Sequence, residues 1–185
     1  MQAVAIVGMT GSGKSEIAKI LSKRKFKIIR FGDATDKVLQ DQKLPLTEEN
    51  ERKTREALRE KYGMDAYAKL NLPRIQEAIK TTNVVLDGLY SWEEYLFLKN
   101  KLPKMIVLAV YAPPETRYER LDQREVRSLT REQASGRDRK EIENLNKAAP
   151  IAMADYTLLN VGTLYDLENA ADKFLEWLTE EEESE

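Results

Sequence analysis

The feature that most limits this chain lies at its amino end. A continuous apolar run, Ala3-Val4-Ala5-Ile6-Val7, stops at Gly8-Met9-Thr10-Gly11-Ser12-Gly13-Lys14-Ser15, and Ile17, Ile20 and Leu21 then follow at helical spacing within 15–23. Five successive apolar residues leave no face for water, so they predict a strand buried on both sides, as in a parallel sheet. The eight residues 8–15 fit G-x-x-x-x-G-K-[ST], in the strand–loop–helix setting that gives the pattern its meaning. Glycines admit positive φ and let backbone N–H groups converge on one anion, and the helix start behind them adds roughly half a positive charge. Gly8, Thr10, Gly11, Ser12 and Gly13 would cradle a polyphosphate. Lys14 would reach its β- and γ-phosphates, and the Ser15 hydroxyl would ligate Mg²⁺, so ATP and Mg²⁺ are the implied cofactors.

Further along, alternation of strand and helix signals predicts an α/β fold around a parallel sheet. Lys27-Ile28-Ile29-Arg30-Phe31, Val84-Val85-Leu86, residues 105–111 and Tyr156–Leu159 read as strands. The stretch 47–80 favours helix, with Gly63 interrupting it and Pro73 expected to kink or split it. Ser91 reads as the N-cap of a helix over 92–99. Residues 115–127 read as helix and 128–140 as a basic, polar stretch containing Gly136. Thr163 opens a last helix with Leu164, Leu167, Ala171, Phe174 and Leu178 as its apolar stripe, and 181–185 form an acidic tail expected to fray.

Composition narrows the chemistry. A chain of 185 residues makes about one domain, here 1–180 plus the tail. It has no Cys and no His, which excludes disulfides, thiolate nucleophiles, Cys/His zinc sites and imidazole catalysis. Lys plus Arg number 30 against 32 Asp plus Glu, a net charge of −2 that argues for no nucleic-acid partner. No apolar stretch approaches the ~18 residues of a membrane span, and none near the start reads as a signal peptide. The expectation is a soluble cytoplasmic protein.

Several other groups are candidates for the site. Asp87 closes the third strand and would serve the metal or the substrate, or else it is a turn aspartate in Asp-Gly. Asp33, in Phe31-Gly32-Asp33-Ala34, would orient or deprotonate an acceptor hydroxyl, or cap a helix, with Asp36 and Lys37 one turn on. Arg117, Arg120, Arg124, Arg127, Arg131, Arg137 and Arg139 fall within 23 residues. Of these, Arg124 and Arg139 are the expected pair to close over a transferring phosphoryl group, most of the rest being surface. One of Arg52, Arg55 and Arg59 would bind the acceptor's phosphate, Arg59 being preferred. Tyr90 is expected to face the site, with Trp92 and Tyr95 as packing residues.

Together these segments resemble the nucleoside-monophosphate-kinase-like P-loop proteins. Arg137-Asp138-Arg139 followed by Ala154-Asp155-Tyr156-Thr157-Leu158-Leu159-Asn160-Val161-Gly162 is similar to dephospho-CoA kinases, and other parts resemble adenylate-kinase-related proteins. The resemblance implies a three-layer α/β/α fold with five parallel strands in order 2-3-1-4-5. It also implies an acceptor-binding insertion at about 36–72, a lid at about 124–140, and phosphorylation of a nucleotide-like acceptor by Mg·ATP. Two positions depart from the pattern. Adenylate kinases carry an arginine where this chain has Asp36, and Asp-Gly-x-Arg is here Asp87-Gly88-Leu89-Tyr90. Two missing cations and an extra acid suit a hydroxyl acceptor better than a nucleoside monophosphate. A nucleotide-binding module or slow ATPase stands as the second reading.

Overall fold

The computed structural model describes residues 1–184, with side chains through residue 181. Five parallel strands form one sheet: β1 (Ala3–Val7), β2 (Lys27–Arg30), β3 (Val84–Asp87), β4 (Ile106–Tyr111) and β5 (Tyr156–Leu159), in order β2-β3-β1-β4-β5. β1 is central and every residue in it is buried. Its side chains alternate between two apolar layers, as the two-residue period of a strand demands. Ala3, Ala5 and Val7 pack with Ile75 and Ala78 of α4 (Ala66–Ala78) and with Tyr95 and Leu98 of α5 (Trp92–Lys101). Val4 and Ile6 face Ile17 and Leu21 of α1 (Lys14–Lys23) and Leu167, Ala171, Phe174 and Leu178 of α9 (Leu164–Ser184). The order reverses at β1, with β3 on one side and β4 on the other. The crevice beyond the carboxyl end of β1 is therefore the place where such a sheet receives ligands.

Between β2 and β3 lie α2 (Asp33–Asp41), α3 (Glu48–Tyr62) and α4. The break falls at Gly63, whose φ of 93° ends α3. α4 runs through Pro73 without splitting, held by buried Ala66, Tyr67, Ala68, Asn71, Ile75 and Ala78. α5 starts with a reciprocal capping box between Ser91 and Glu94. Beyond β4, α6 (Pro114–Asp122) is shorter than the sequence predicts, so Arg124 and Arg127 are on the following loop. The basic stretch is instead a helix, α7 (Arg131–Leu145), begun by a capping box of Thr130 and Gln133 and followed by α8 (Ala148–Ala152). Leu164 is 58% exposed and not part of the apolar stripe, because it opens α9 before that helix reaches the sheet. Residues 181–184, three glutamates and Ser184, extend α9, and Glu185 lies outside the described residues. Among the described residues, no helix is long and apolar enough to cross a membrane.

Phe174 is fully buried, with the Tyr156 ring edge-on at 5.3 Å and Trp177 at 5.9 Å. Phe174→Ala should cost about 3–5 kcal/mol of stability. Urea denaturation checks this, and a loss below about 1 kcal/mol would contradict the packing described.

Candidate functional site

The loop 8–15 leaves β1 and enters α1 through Gly13, whose φ of 101° is open to glycine but strained for other residues. A Cβ there would also overlap the Asn160 amide, whose Nδ2 donates to Ser12 O at 2.8 Å. No side chain caps α1. Glu16 N–H already donates to Gly13 O at 3.0 Å, so the first-turn N–H groups open to an anion are those of Lys14 and Ser15. The far side of the loop rests on Arg117, which is 4% exposed. Its guanidinium donates to Thr10 O (3.0 Å), Ala112 O (3.1 Å) and both carboxylate oxygens of Asp138 (2.9 and 2.6 Å). Arg117 is thus a buried clamp joining α6, α7 and the loop, not one of the surface arginines the sequence reading made of it.

Lys14 folds back over the loop, its Nζ donating to Gly8 O at 2.8 Å and Met9 O at 3.0 Å. Burial, and then the neighbouring charge of Lys147, lower its pKa to about 7, against the opposing pull of Glu141 and Asp87. Glu141 sits on the loop itself: Thr10 Oγ1 donates to it at 2.7 Å, Arg137 Nε at 3.0 Å and Lys147 Nζ at 2.6 Å. Burial disfavours its charge, but Lys147 and the hydrogen bonds from Lys147, Thr10 and Arg137 outweigh that and hold its pKa down at about 2. Tyr90 stands behind this group, its phenol pushed up to about 12 by burial and by Asp87 and Glu141. The Tyr90 and Ser91 N–H groups both donate to Glu94, which fixes the turn that carries Tyr90.

A cleft of about 890 Å³ opens from Thr10 and Lys14 toward α2 and α3. Asp87, Tyr90, Asp36, Arg55, Arg59, Arg127, Arg137, Glu141 and Lys147 are in its wall. A smaller recess of about 200 Å³ on the other side of the loop is bounded by Gly11, Gly13, Lys14, Ser15, Arg120, Arg124 and Asn160. The structure therefore brings together Thr10, Lys14, Arg59, Asp87 and Tyr90, and sets Ser15 and Arg124 on the recess side. Asp33 does not line the cleft. Its carboxylate pairs with Arg74 at 3.0 Å and Arg30 at 3.5 Å, while Asp36, three residues on, faces the space with Arg30 at 3.9 Å. Lys37 is exposed and off the wall, because the inward face of α2 is set by buried Thr35 and Leu39. Arg139 is likewise exposed outside the cleft, since the helical period of α7 puts Arg137 and Glu141, four apart, on the face that meets it. Arg59 stacks over Tyr67 at 5.4 Å, and Tyr67 shares a 2.5 Å hydrogen bond with Thr35. Trp92 and Tyr95 stack on each other at 4.9 Å as packing residues.

The fold and the loop define a P-loop protein of the kinase-like type. A family model described as an AAA domain matches residues 4–150. A UPF0200 protein of Sulfurisphaera tokodaii is 38% identical over 176 residues, covering 93% of this chain and 94% of that protein. Another, from Thermococcus kodakarensis, is 35% identical over 178 residues, covering 94% and 96%. The chain belongs to this AAA-domain family and is a relative of the UPF0200 proteins. Shared fold is seen with a shikimate kinase from Bacteroides thetaiotaomicron (TM-score 0.62, 14% identity, 96% of this chain and 98% of that one). A gluconokinase from Sinorhizobium meliloti 1021 is similar (TM-score 0.59, 16% identity, 97% and 94%). Of the expected resemblance, what holds is the P-loop kinase-like fold.

Because the folded chain lowers the Lys14 pKa from 10.5 to about 7, the unfolded chain holds the extra proton between those values. Stability from this group therefore rises with pH across that window, and the cost of charged Lys14 is fully present below pH 7. Lys14→Met should be more stable than wild type at pH 7, with the gap shrinking by pH 9. Denaturation midpoints at both pH values check this, and a constant gap would contradict it.

Proposed function

We propose that the protein is a small-molecule kinase that transfers the γ-phosphoryl group of ATP to a nucleotide-like acceptor, such as dephospho-CoA, a nucleoside or a nucleoside monophosphate. The observation that carries the reading is the cleft, in which the phosphate loop and Lys14 share one space with Asp36, Asp87 and Arg59. The loop amides and Lys14 hold the donor phosphates, with the rest of the nucleotide on the recess side near Arg124. The acceptor oxygen attacks the γ-phosphorus, the bond to the β,γ-bridging oxygen breaks, and ADP leaves. Asp36 takes the acceptor's proton, and Asp33 positions Arg30 and Arg74 instead of acting as the base. Arg59 receives an anionic group of the acceptor, Tyr90 forms the wall, and Arg137 replaces Arg139 over the phosphoryl group. The segments 36–72 and 124–140 are the acceptor-binding insertion and the lid.

Mg²⁺ fits this site as an ion brought by the phosphates. Among the described residues, no group of three or more Asp and Glu side chains could hold a resident metal. A phosphate-bound Mg²⁺ takes one or two protein oxygens; the Ser15 hydroxyl would offer one from the recess side or the Asp87 carboxylate one from the cleft, and the ion would neutralise developing charge. Neighbours named shikimate kinase and gluconokinase extend the acceptor class to other hydroxylated small molecules. The cytoplasm, where ATP is abundant, is the fitting compartment.

One observation favours the second reading, a nucleotide-binding module or slow ATPase. Cleft arginines already have internal partners: Arg55 pairs with Glu48 at 3.0 Å and Arg127 with Glu51 at 3.3 Å. An ADP-release screen over dephospho-CoA, nucleosides, nucleoside monophosphates and sugar acids separates the two. The kinase reading predicts acceptor-dependent ADP and a phosphorylated product, and Lys14→Ala should lower turnover by ~10²-fold or more. ADP released at one rate whatever the acceptor would support the module instead.

A further inference from the structure

A second buried lysine shares the phosphate corner. α7 ends at Asn146, whose φ of 49° turns the chain inward. Lys147 follows and is 3% exposed, a burial that lysine almost never reaches unpaired. Its Nζ donates to Glu141 at 2.6 Å and lies 4.7 Å from the centre of the Tyr90 ring. Glu141 in turn accepts from Thr10 of the phosphate loop at 2.7 Å and from Arg137 at 3.0 Å. Lys14 sends its hydrogen bonds to loop carbonyls, not to that carboxylate. Two ammonium groups and a guanidinium thus converge where Glu141 and Asp87 supply the negative charge. Such a corner is one charge short, and a group with two negative charges and several acceptor oxygens would satisfy all three cations.

We infer that Lys147 is a further phosphoryl-binding residue, and that Glu141 keeps its place by bridging Thr10 and Lys147 until the terminal phosphoryl group of a nucleoside triphosphate takes over those contacts. The inference rests on the kinase reading above and adds a residue to it. Loop amides and Lys14 suffice for a diphosphate, whereas only a triphosphate is long enough to displace Glu141. Lys147 thereby separates donor from product.

Calorimetric titration of the full chain with Mg·AMP-PNP and with Mg·ADP tests this. Lys147→Met should weaken AMP-PNP binding by about tenfold or more, the loss expected for a charged hydrogen bond, and leave ADP within about twofold. Equal weakening of both nucleotides, or of neither, would overturn the assignment. Because Lys147 is buried, its replacement can cost the fold. Glu141→Gln keeps the lysine and removes the competing charge, so the ratio of AMP-PNP to ADP affinity should rise; an unchanged or lower ratio would overturn the inference. If wild type binds neither nucleotide, the kinase reading falls and this inference with it. Wild-type binding with unaltered ratios in the variants overturns the inference alone.

Discussion

A strand buried on both faces at the middle of an all-parallel sheet is the constraint on which the rest depends. β1 can satisfy its backbone only by pairing on both edges, which it does with β3 and β4. Its apolar side chains fill two layers at once, so the helices must cover both faces. The chain can leave such a strand only at its ends. At the carboxyl end it meets Gly8, turns through the loop, and begins α1 with no side chain over the first turn. The cradle is therefore a consequence of where the core lies, and α6, α7 and β5 brace it through Arg117, Asp138 and Asn160.

The bracing has an electrostatic cost that function can use. Lys14 and Lys147 gather where burial lowers the pKa of both, with Arg137 exposed at the edge of the group. Glu141 is the internal anion that makes this tolerable. A corner with more cationic than anionic groups is preorganised for charge that arrives with a ligand, and preorganised charge is the main resource of a phosphoryl-transfer site. The far end of the cleft differs in kind: Arg55 and Arg127 are already paired with acids of α3, whereas Arg59 rests on the Tyr67 ring.

The loop, the five strands and their helices are legible in the sequence because each rests on local pattern. Strand order and the position of the crevice follow from the family resemblance, and the sheet has that order. What the sequence hides is helical phase. Gly136, exposed at mid-helix, weakens the signal of α7, although Thr130 and Gln133 form a readable capping box. Without the phase of α7 the sequence does not separate Arg139 from Arg137, and neither Glu141 nor Lys147 carries a local mark. The same holds at α2, where only the helical phase separates Asp36 from Asp33 and Lys37. Arg117 was hidden for another reason. Its burial depends on Asp138, 21 residues away, and no local pattern announces a long-range pair.

The most direct test of the central claim is calorimetric titration of the full chain with Mg·ATP, beside the same titration of Lys14→Ala. The loop and Lys14 share the cleft, so the account predicts saturable binding of one nucleotide that weakens by about tenfold or more in the variant. Absence of saturable heat at millimolar nucleotide, or equal affinity in the variant, would contradict it.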